Sequence, residues 1–276
     1  MKKLKTGISV VFILFWTLAP IYWALRTSLL SNKALTTLPP KYLPIPLSLQ
    51  HYQQLLGFDK QSSLWVQFKG AMVNTSISCL GSTVVVVIVS ILAGYAFARI
   101  PFKGRNIIFS MILITMALPA YAVMIPLYKV MISIGLIDTQ VGITLIYVSA
   151  FAPLAVWLMR SYFATIPKEL EEAATVDGAT KLRALWTILP IALPGVVAVA
   201  ILTFLNAWSQ FLIPLVFAPS ETKPLTVLIT EFVGRTSINY GLMTAAGVIT
   251  MIPPILIVIF LNKYLVSGLT TAAVKQ

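Results

Sequence analysis

The chain has few charged residues, and acidic residues are the scarcest of them. Charged residues make up 10% of its 276 positions and hydrophobic residues 58%, whereas a soluble domain carries about 25% charged residues. This deficit indicates that a lipid bilayer surrounds most of the chain. Eight acidic residues against 20 basic ones give a net charge of +12. In a membrane protein, such an excess indicates contact with anionic lipid headgroups rather than with nucleic acid.

Cysteine and histidine are almost absent. The single cysteine, Cys79, and the single histidine, His51, exclude a disulfide framework and a Cys/His metal cluster. We expect Cys79 to be a small packing residue and His51 to be a polar residue on a loop surface. The chain also has no G-x-x-x-x-G-K-[ST] phosphate loop, so it is not expected to hydrolyse nucleotide itself. These absences predict a protein with no catalytic, metal or cofactor site.

Six uncharged runs, each at least 20 residues long, divide the sequence. About 20 apolar residues cross the hydrocarbon core as a helix, so the runs predict an all-α integral membrane protein with six transmembrane helices. An uncleaved first helix fits the start better than a cleaved signal peptide, because its apolar stretch is long and contains Trp16. The distribution of Lys and Arg favours cytoplasmic termini. The approximate predicted spans are 7–29, 70–98, 106–128, 139–161, 190–217 and 241–263, with outer loops at 31–69 and 218–240.

The six runs contain no Asp, Glu, Lys, Arg or His. Ion-coupled carriers, proton pumps and voltage sensors keep such residues inside the membrane, and embedded hydrolases need an activating base or metal ligands. No internal repeat of the kind found in two-halved carriers is visible. The sequence therefore predicts a subunit that works with partners. Several prolines in the runs predict kinked or interrupted helices: Pro119, Pro126, Pro153, Pro214, Pro253 and Pro254.

Uncharged polar residues mark the fifth predicted span. Thr203, Asn206 and Gln210 follow an i, i+3, i+7 spacing that would place them on one helical face, beside Trp208. Amide and hydroxyl groups next to an aromatic ring suit a neutral polyhydroxylated solute. The alternative is that these amides hydrogen-bond between helices and hold the bundle together.

One acidic segment interrupts the apolar sequence. Seven charged residues lie between positions 164 and 186, including four of the eight acids. Pro167 and the acids that follow it favour a helix start, and Asp177-Gly178 favours its end. A second short helix is expected to begin at Thr180. The segment could be a solvated hairpin, or its alanines and flanking acids could dock in the groove of a cytosolic protein.

The segment resembles the EAA signature of importer-type ABC permeases, with Glu172-Ala173-Ala174, then Gly178, then Leu189-Pro190. The likeness is strongest to the second permease subunit of carbohydrate importers of the maltose type, although the segment after Gly178 is one residue shorter than that pattern. The tail carries Thr271-Ala272-Ala273 where the family favours Ala-Gly-Ala. Further family-like blocks include "AGYAFARIPFKGR", "NAWSQFLIPLVF" and "GLTTAAVK".

This resemblance implies the importer-type ABC permease fold, with segment 164–186 as a cytoplasmic coupling loop seated on the ATPase. The implied partners are a second homologous permease, a cytosolic ATPase dimer that binds the ATP, and an extracytoplasmic solute-binding protein that contacts the outer loops. The implied location is a prokaryotic cytoplasmic membrane. The implied coupling residues are Glu171, Glu172, Ala173, Ala174, Asp177 and Gly178.

The predicted function is that of a non-catalytic permease subunit of an ATP-driven sugar or oligosaccharide importer. Thr203, Asn206, Trp208 and Gln210 are its candidate path residues. A permease for another solute, such as an osmolyte or amino acid, is the first alternative. A self-sufficient channel or carrier is the second.

Overall fold

The computed structural model describes residues 2–58, 64–176, 178–233 and 238–273. Apart from one isolated bridge between Val233 and Ile238, the regular structure in these ranges is helical. The helices are α1 (Lys2–Ser28), α2 (Asn32–Leu35), α3 (Gln50–Leu55), α4 (Leu64–Arg99), α5 (Arg105–Thr115), α6 (Ala120–Ser133), α7 (Gln140–Thr165), α8 (Glu169–Val176), α9 (Lys181–Trp208), α10 (Leu212–Phe217), α11 (Leu225–Glu231) and α12 (Tyr240–Ala273). The predicted all-α membrane class is confirmed.

The chain forms two compact units. The first comprises Met1–Val73 and Pro224–Pro253, and the second comprises Asn74–Lys223 and Pro254–Gln276. In the first unit, His51 is fully buried, its Nε2 lies 3.0 Å from the Leu30 carbonyl oxygen, and its ring fills the space above Gly241. The prediction of His51 as a surface residue is therefore wrong. Burial lowers its pKa, outweighing the opposite effect of the Leu30 hydrogen bond.

Five helices in the described ranges are long and apolar enough to cross a membrane, one fewer than predicted. The predicted third span, 106–128, is instead divided into α5 and α6, which are separated at Pro119. Pro119 cannot donate a helical hydrogen bond, and its ring disfavours helical backbone at the residue before it. The interruption that the prolines predicted is therefore present, although its division into two short helices was not predicted.

α4 and α7 run side by side in the same direction. A Cβ on Gly81 would lie 3.5 Å from Thr144, and one on Gly94 would lie 2.7 Å from the Met159 Cβ. Since α4 and α7 are parallel, the connection between the end of α4 and the start of α7 must return along the length of α7, which has 26 residues. Helices of 11 and 14 residues together span about 37 Å at 1.5 Å per residue. The α5–α6 pair is therefore long enough to make the missing crossing.

The predicted fifth span and coupling loop also have different bounds. α9 begins at Lys181, inside the predicted 164–186 loop, with Thr180 as its N-cap, and it continues without interruption through Pro190 and Pro194. The separate short helix expected after Thr180 is therefore wrong. α9 ends at Trp208 rather than near residue 217, and α10 follows it. Pro214 contributes to this break because it lacks the N–H that a continuing helix would donate to residue 210.

Candidate coupling site and solute path

α8 is a short helix that begins in the acidic segment. Its first turn contains Glu169, Glu171 and Glu172, where carboxylates oppose the positive end of the helix dipole. The carbonyl of Lys168 accepts hydrogen bonds from the backbone N–H groups of Glu171 (2.9 Å) and Glu172 (3.0 Å). The predicted helix start near Pro167 is therefore confirmed.

The end of α8 is fixed by Gly178. Its φ of +82° lies in the left-handed region, which glycine adopts without steric cost. Its N–H donates to the Thr175 carbonyl (3.0 Å), and the N–H of Ala179 donates to the Ala174 carbonyl (2.9 Å). These two bonds form a Schellman motif and satisfy carbonyls that the helix end leaves free. The predicted glycine stop is confirmed, whereas the predicted coupling residue Asp177 lies outside the described residues.

The outer face of α8 is open to its surroundings. Glu172, Ala173 and Gly178 are exposed, and Ala174 is half-buried. The side chain of Val176 is 87% exposed, although valine is apolar. α8 packs against α9. The helix therefore presents a small apolar surface bordered by carboxylates, the arrangement that docking in a groove requires.

Glu171 points the other way, into the protein. Its Oε1 lies 2.8 Å from the Nε of Arg99 at the end of α4, and these two side chains are only 13% and 5% exposed. The hydroxyl of Tyr95 donates to its Oε2 at 3.3 Å. The predicted coupling residues therefore divide into an exposed group and one carboxylate that is held inside.

Arg99 also binds the end of α7. Its Nη2 donates to the carbonyl of Phe163 at 2.8 Å and to the carbonyl of Ile166. Phe163 lies in the last turn of α7 and Ile166 is its C-cap. Carbonyls at a helix end lack their usual i+4 partner, and a cation is favoured there. Arg99 thus joins α4, α7 and α8 at one point.

Sequence reasoning did not select Arg99 or Tyr95. A signal was present, because both lie in the family-like block "AGYAFARIPFKGR". Arg99 is also the first charge after the uncharged run 70–98. We interpreted Arg99 as one of the basic residues that border a membrane. That interpretation did not indicate its carboxylate partner, Glu171, 72 positions later.

Two of the four candidate path residues line one cavity in the part of the chain that the structure describes. Thr203 and Asn206 line a cavity of about 200 Å³ between α7 and α9, together with apolar side chains that include Met116, Phe151 and Leu158. The Asn206 amide Nδ2 donates to the carbonyl of Leu202 (2.8 Å) on the same helix. The cavity is therefore mostly apolar with a small polar edge.

Trp208 and Gln210 are not among the residues that line this cavity. Trp208 is buried and stacks on Phe204, with the ring centroids 5.3 Å apart. Gln210 lies beyond the last residue of α9, so the predicted single-face stripe of Thr203, Asn206 and Gln210 is wrong. The helix ends before the third member because the chain turns at Ser209.

At the opposite end of α7, Asp138 holds a loop. Its carboxylate accepts hydrogen bonds from the backbone N–H groups of Ser220 (3.4 Å), Glu221 (2.9 Å) and Thr222 (3.0 Å), and from the Thr222 hydroxyl (2.9 Å). Partial burial acts to raise the pKa of Asp138, but these bonds outweigh it and hold the pKa below its usual value. We name the Asp138 carboxylate and residues 220–222 the loop clamp.

Asn74 of α4 supports the loop clamp from the other side. Its Nδ2 donates to the carbonyls of Glu221 (3.0 Å) and Lys223 (3.1 Å), and its Oδ1 accepts from the Nε2 of Gln140 (2.7 Å). The segment "PSETKP", 219–224, therefore has a defined conformation although Pro219, Ser220 and Glu221 are exposed.

The chain resembles known transport proteins over nearly its full length. Residues 86–271 match the family described as binding-protein-dependent transport system inner membrane component. The sulfoquinovosyl glycerol transport system permease protein SmoH of Agrobacterium fabrum is 32% identical over 260 residues, which are 94% of this chain and 89% of the relative. The arabinooligosaccharides transport system permease protein AraQ of Bacillus subtilis is 33% identical over 264 residues, with 94% and 90% coverage.

A solved structure has the same fold. A chain in the crystal structure of a bacterial ABC transporter involved in the import of the acidic polysaccharide alginate superposes with a TM-score of 0.80 and 25% identity, covering 95% of both chains. This likeness confirms the predicted importer-type permease fold. The family match includes α8, α9 and Arg99, and therefore both sides of the coupling site. The chain belongs to the family of inner membrane components of binding-protein-dependent transport systems.

Proposed function

We propose that this chain is the membrane-spanning permease subunit of an ATP-driven importer for a sugar or oligosaccharide. The family match, the relatives that carry sugar derivatives and the alginate transporter fold support it. In this assignment the chain works with a second homologous permease, two cytosolic ATPase subunits and an extracytoplasmic binding protein. It resides in a prokaryotic cytoplasmic membrane with both termini inside, and it contributes the path rather than the hydrolysis of ATP.

The observation that carries this proposal is the exposed face of α8. Glu172, Ala173 and Gly178 are exposed beside a Val176 side chain that is 87% exposed, although the surrounding helices are packed into a bundle. An apolar face bordered by acids fits a groove with basic edges. In the proposed cycle the ATPase binds this face and moves the spans between inward- and outward-facing arrangements. Asp177, which lies outside the described residues, keeps its predicted coupling role as part of this proposal.

A site-specific cross-link tests the docking of α8. The substitution Ala173→Cys places a thiol on the exposed face, and the unmodified chain is the matched control because its lone Cys79 is buried. In the complete transporter, a short cysteine-directed cross-linker should join Ala173→Cys to the ATPase subunit and leave the control free. Absence of this product in a transporter that still takes up solute would overturn the docking of α8.

The sidedness of α8 is tested with a membrane-impermeant maleimide. Ala173→Cys should react only after sealed cells are opened, whereas Glu221→Cys, on the exposed loop 219–221, should react in intact spheroplasts. Reversal of these two results would place α8 outside and exclude the proposed assignment.

The solute class is tested through the binding protein encoded with this chain. We expect that protein to retain a sugar or oligosaccharide in equilibrium dialysis, and retention of an osmolyte or amino acid would favour the alternative importer. Uptake into liposomes by this chain alone, without ATPase subunits, would establish a channel or carrier instead.

A separate substitution tests whether the α7–α9 cavity is part of the solute path. Asn206→Leu removes the amide from the polar edge that Asn206 and Thr203 form in the cavity. Uptake should fall while the purified complex keeps its subunits and melting temperature. Loss of assembly with normal uptake per assembled complex would instead assign Asn206 to packing.

A further inference from the structure

Arg99 lies where three helices meet. It belongs to one of them and binds the other two through different nitrogen atoms of its side chain. It is the last residue of α4, its Nε pairs with Glu171 in the first turn of α8, and its Nη2 binds the carbonyls of Phe163 and Ile166 at the end of α7. The planar guanidinium presents its donors in a fixed fork, so the three partners constrain one another's positions. A displacement of α8 would therefore act on both α4 and α7 through this guanidinium.

The packing around Arg99 makes the junction rigid. Tyr95, one turn earlier on α4, is 3% exposed and packs edge-on against Phe163, with the ring centroids 5.7 Å apart. Its hydroxyl also donates to the Glu171 carboxylate. Tyr95, Phe163 and Ile166 belong to one buried cluster with Leu185 and Ile188 of α9. A buried ion pair in such surroundings resists separation, because removal of one partner leaves the other charged and poorly solvated.

The two faces of α8 have different partners. Its outer face carries the exposed residues to which docking is assigned, and Glu171 on the inner face leads to Arg99. α9 follows α8 in the chain and packs on it directly, whereas the ion pair joins α8 to the ends of α4 and α7. A helix that transmits motion to the membrane spans needs both the connection to α9 and the ion pair to α4 and α7.

We propose that Arg99 is a positioning residue for energy coupling: through Glu171 it makes α8 and the adjoining ends of α4 and α7 move as one body. The proposal rests on the assignment of α8 as the helix that docks on the ATPase. It adds that force leaves α8 through one buried ion pair as well as through the chain connection to α9.

The functional test uses the complete transporter with its ATPase subunits and binding protein in liposomes. Glu171→Gln and Arg99→Lys keep the size and polarity of the junction but weaken the charge pair or the carbonyl bonds. We expect each variant to keep the ATPase subunits bound and basal ATP hydrolysis unchanged. Solute uptake, and the stimulation of ATP hydrolysis by the binding protein, should each fall about tenfold. Tyr95→Phe, which removes one hydroxyl and keeps the ring packing, is the matched control and should retain most uptake.

A charge exchange separates the two halves of the junction. The double variant Arg99→Glu with Glu171→Arg restores an ion pair between α4 and α8, but a carboxylate at position 99 cannot donate to the Phe163 and Ile166 carbonyls. Partial recovery of uptake relative to either single exchange supports a junction of three helices. No recovery, or loss of the ATPase subunits together with uptake in Glu171→Gln, would overturn the proposal.

A second measurement needs no ATPase and distinguishes failure of this inference from failure of the proposed function. Trypsin sites at Lys168, Lys181 and Arg183 flank α8, and all three side chains are exposed. In the purified chain, Glu171→Gln should increase the cleavage rate at these sites severalfold, because α8 is no longer held to α4 and α7. Equal rates in the variant and the unmodified chain would overturn the junction even if transport proved correct. Faster cleavage in a chain that shows no ATP-driven uptake would retain the junction and refute the proposed function.

Discussion

The two ends of α7 are held in opposite ways. At its first residues, the loop clamp uses one carboxylate to bind the backbone N–H groups of Ser220, Glu221 and Thr222. At its last residues, the side chain of Arg99 pairs with the side chain of Glu171 and with backbone carbonyls. One end therefore fixes the shape of a loop, and the other joins three helices.

The difference determines how each end depends on sequence. In the loop clamp, the Asp138 carboxylate binds only backbone N–H groups and the Thr222 hydroxyl. The exposed side chains of Pro219, Ser220 and Glu221 can therefore vary to fit a partner without loss of these bonds. The Arg99–Glu171 junction depends on two specific side chains that are 5% and 13% exposed. We therefore expect the loop clamp to shape an exposed surface for a partner, and the Arg99–Glu171 junction to transmit movement between helices.

The largest loss of stability should come from disrupting the close packing of α4 on α7, on which both ends of α7 depend. Both require α4 and α7 to lie close together, and a Cβ at Gly94 would lie 2.7 Å from the Met159 Cβ and 2.9 Å from the Arg160 backbone nitrogen. Because a backbone atom cannot move aside alone, Gly94→Val should cost about 3 kcal/mol or more. We expect a lower melting temperature in detergent and aggregation on size-exclusion chromatography.

Gly70 provides a matched control for this prediction. It is also in α4, yet a Cβ there would meet no atom of the described residues within 4 Å outside the backbone of its own helix. Gly70→Val should therefore leave the melting temperature close to that of the unmodified chain. Equal destabilisation by the two valines would show that helix propensity, not the α4–α7 approach, governs the result.

The next effect should be loss of the loop clamp in Asp138→Ala. Four hydrogen bonds to the carboxylate disappear, and we expect about 2 kcal/mol less local stability, since bonds to a charged acceptor exceed ordinary ones. Amide hydrogen exchange at 220–222 and cleavage by a glutamyl endopeptidase after Glu221 should both become faster. Unchanged trypsin cleavage around α8 in the same variant would show that the two ends of α7 are independent.

The loop clamp also predicts a pH dependence. The pKa of Asp138 is held below the usual value of 3.8, so the folded state favours the ionised form. Its stabilising contribution is fully present above the ordinary pKa and is lost only as the pH falls through the lowered folded-state value. Hydrogen exchange at 220–222, corrected for its intrinsic pH dependence, should therefore stay slow from pH 7 to 5 and rise below about pH 4. Opening of the loop already between pH 6 and 5 would contradict this assignment.

The sequence predicted the parts of this molecule that depend on local chemistry. The apolar runs predicted the membrane class, and Gly178 predicted the end of α8 because a left-handed residue has a local signature. Proline positions predicted interruptions, but not that Pro119 would divide one span into two helices. Pro126 and Pro153 lie inside continuous helices, so the presence of a proline does not by itself say which helix is interrupted.

The long-range pairs were beyond sequence reasoning. Asp138 and Thr222 are 84 positions apart, and Asn74 and Lys223 are 149 apart. A single sequence contains no signal that joins such positions, so Glu171 was grouped with the exposed acids of α8 although it faces inward. Gln210 was placed with Thr203 and Asn206 by a helical spacing that the chain does not maintain past Trp208.

A smaller effect is expected at the end of α8 from Gly178→Val. Apart from its chain neighbours, no described residue has an atom within 4 Å of a Cβ at this position, so the obstacle is the φ of +82°. A β-branched residue there costs about 1–2 kcal/mol. The chain should enter the membrane normally but lose uptake, because the strained turn displaces the exposed face of α8. Gly178→Asn is the control, since asparagine tolerates this region better. Full uptake by Gly178→Val would separate the Schellman motif from coupling.

The smallest effect should come from Asn74→Ala, which removes the support of the loop clamp but not the Asp138 carboxylate. The Glu221 and Lys223 carbonyls lose one donor each, and the Gln140 amide loses its acceptor. Because exposed carbonyls can turn to water, we expect a loss of about 1 kcal/mol, visible as a modest rise in hydrogen exchange at 221–223. Combined with Asp138→Ala, it should add little further exchange, since the loop is already released. Additive effects in the double variant would mean that the two residues hold the loop separately, and the clamp would then be two contacts rather than one.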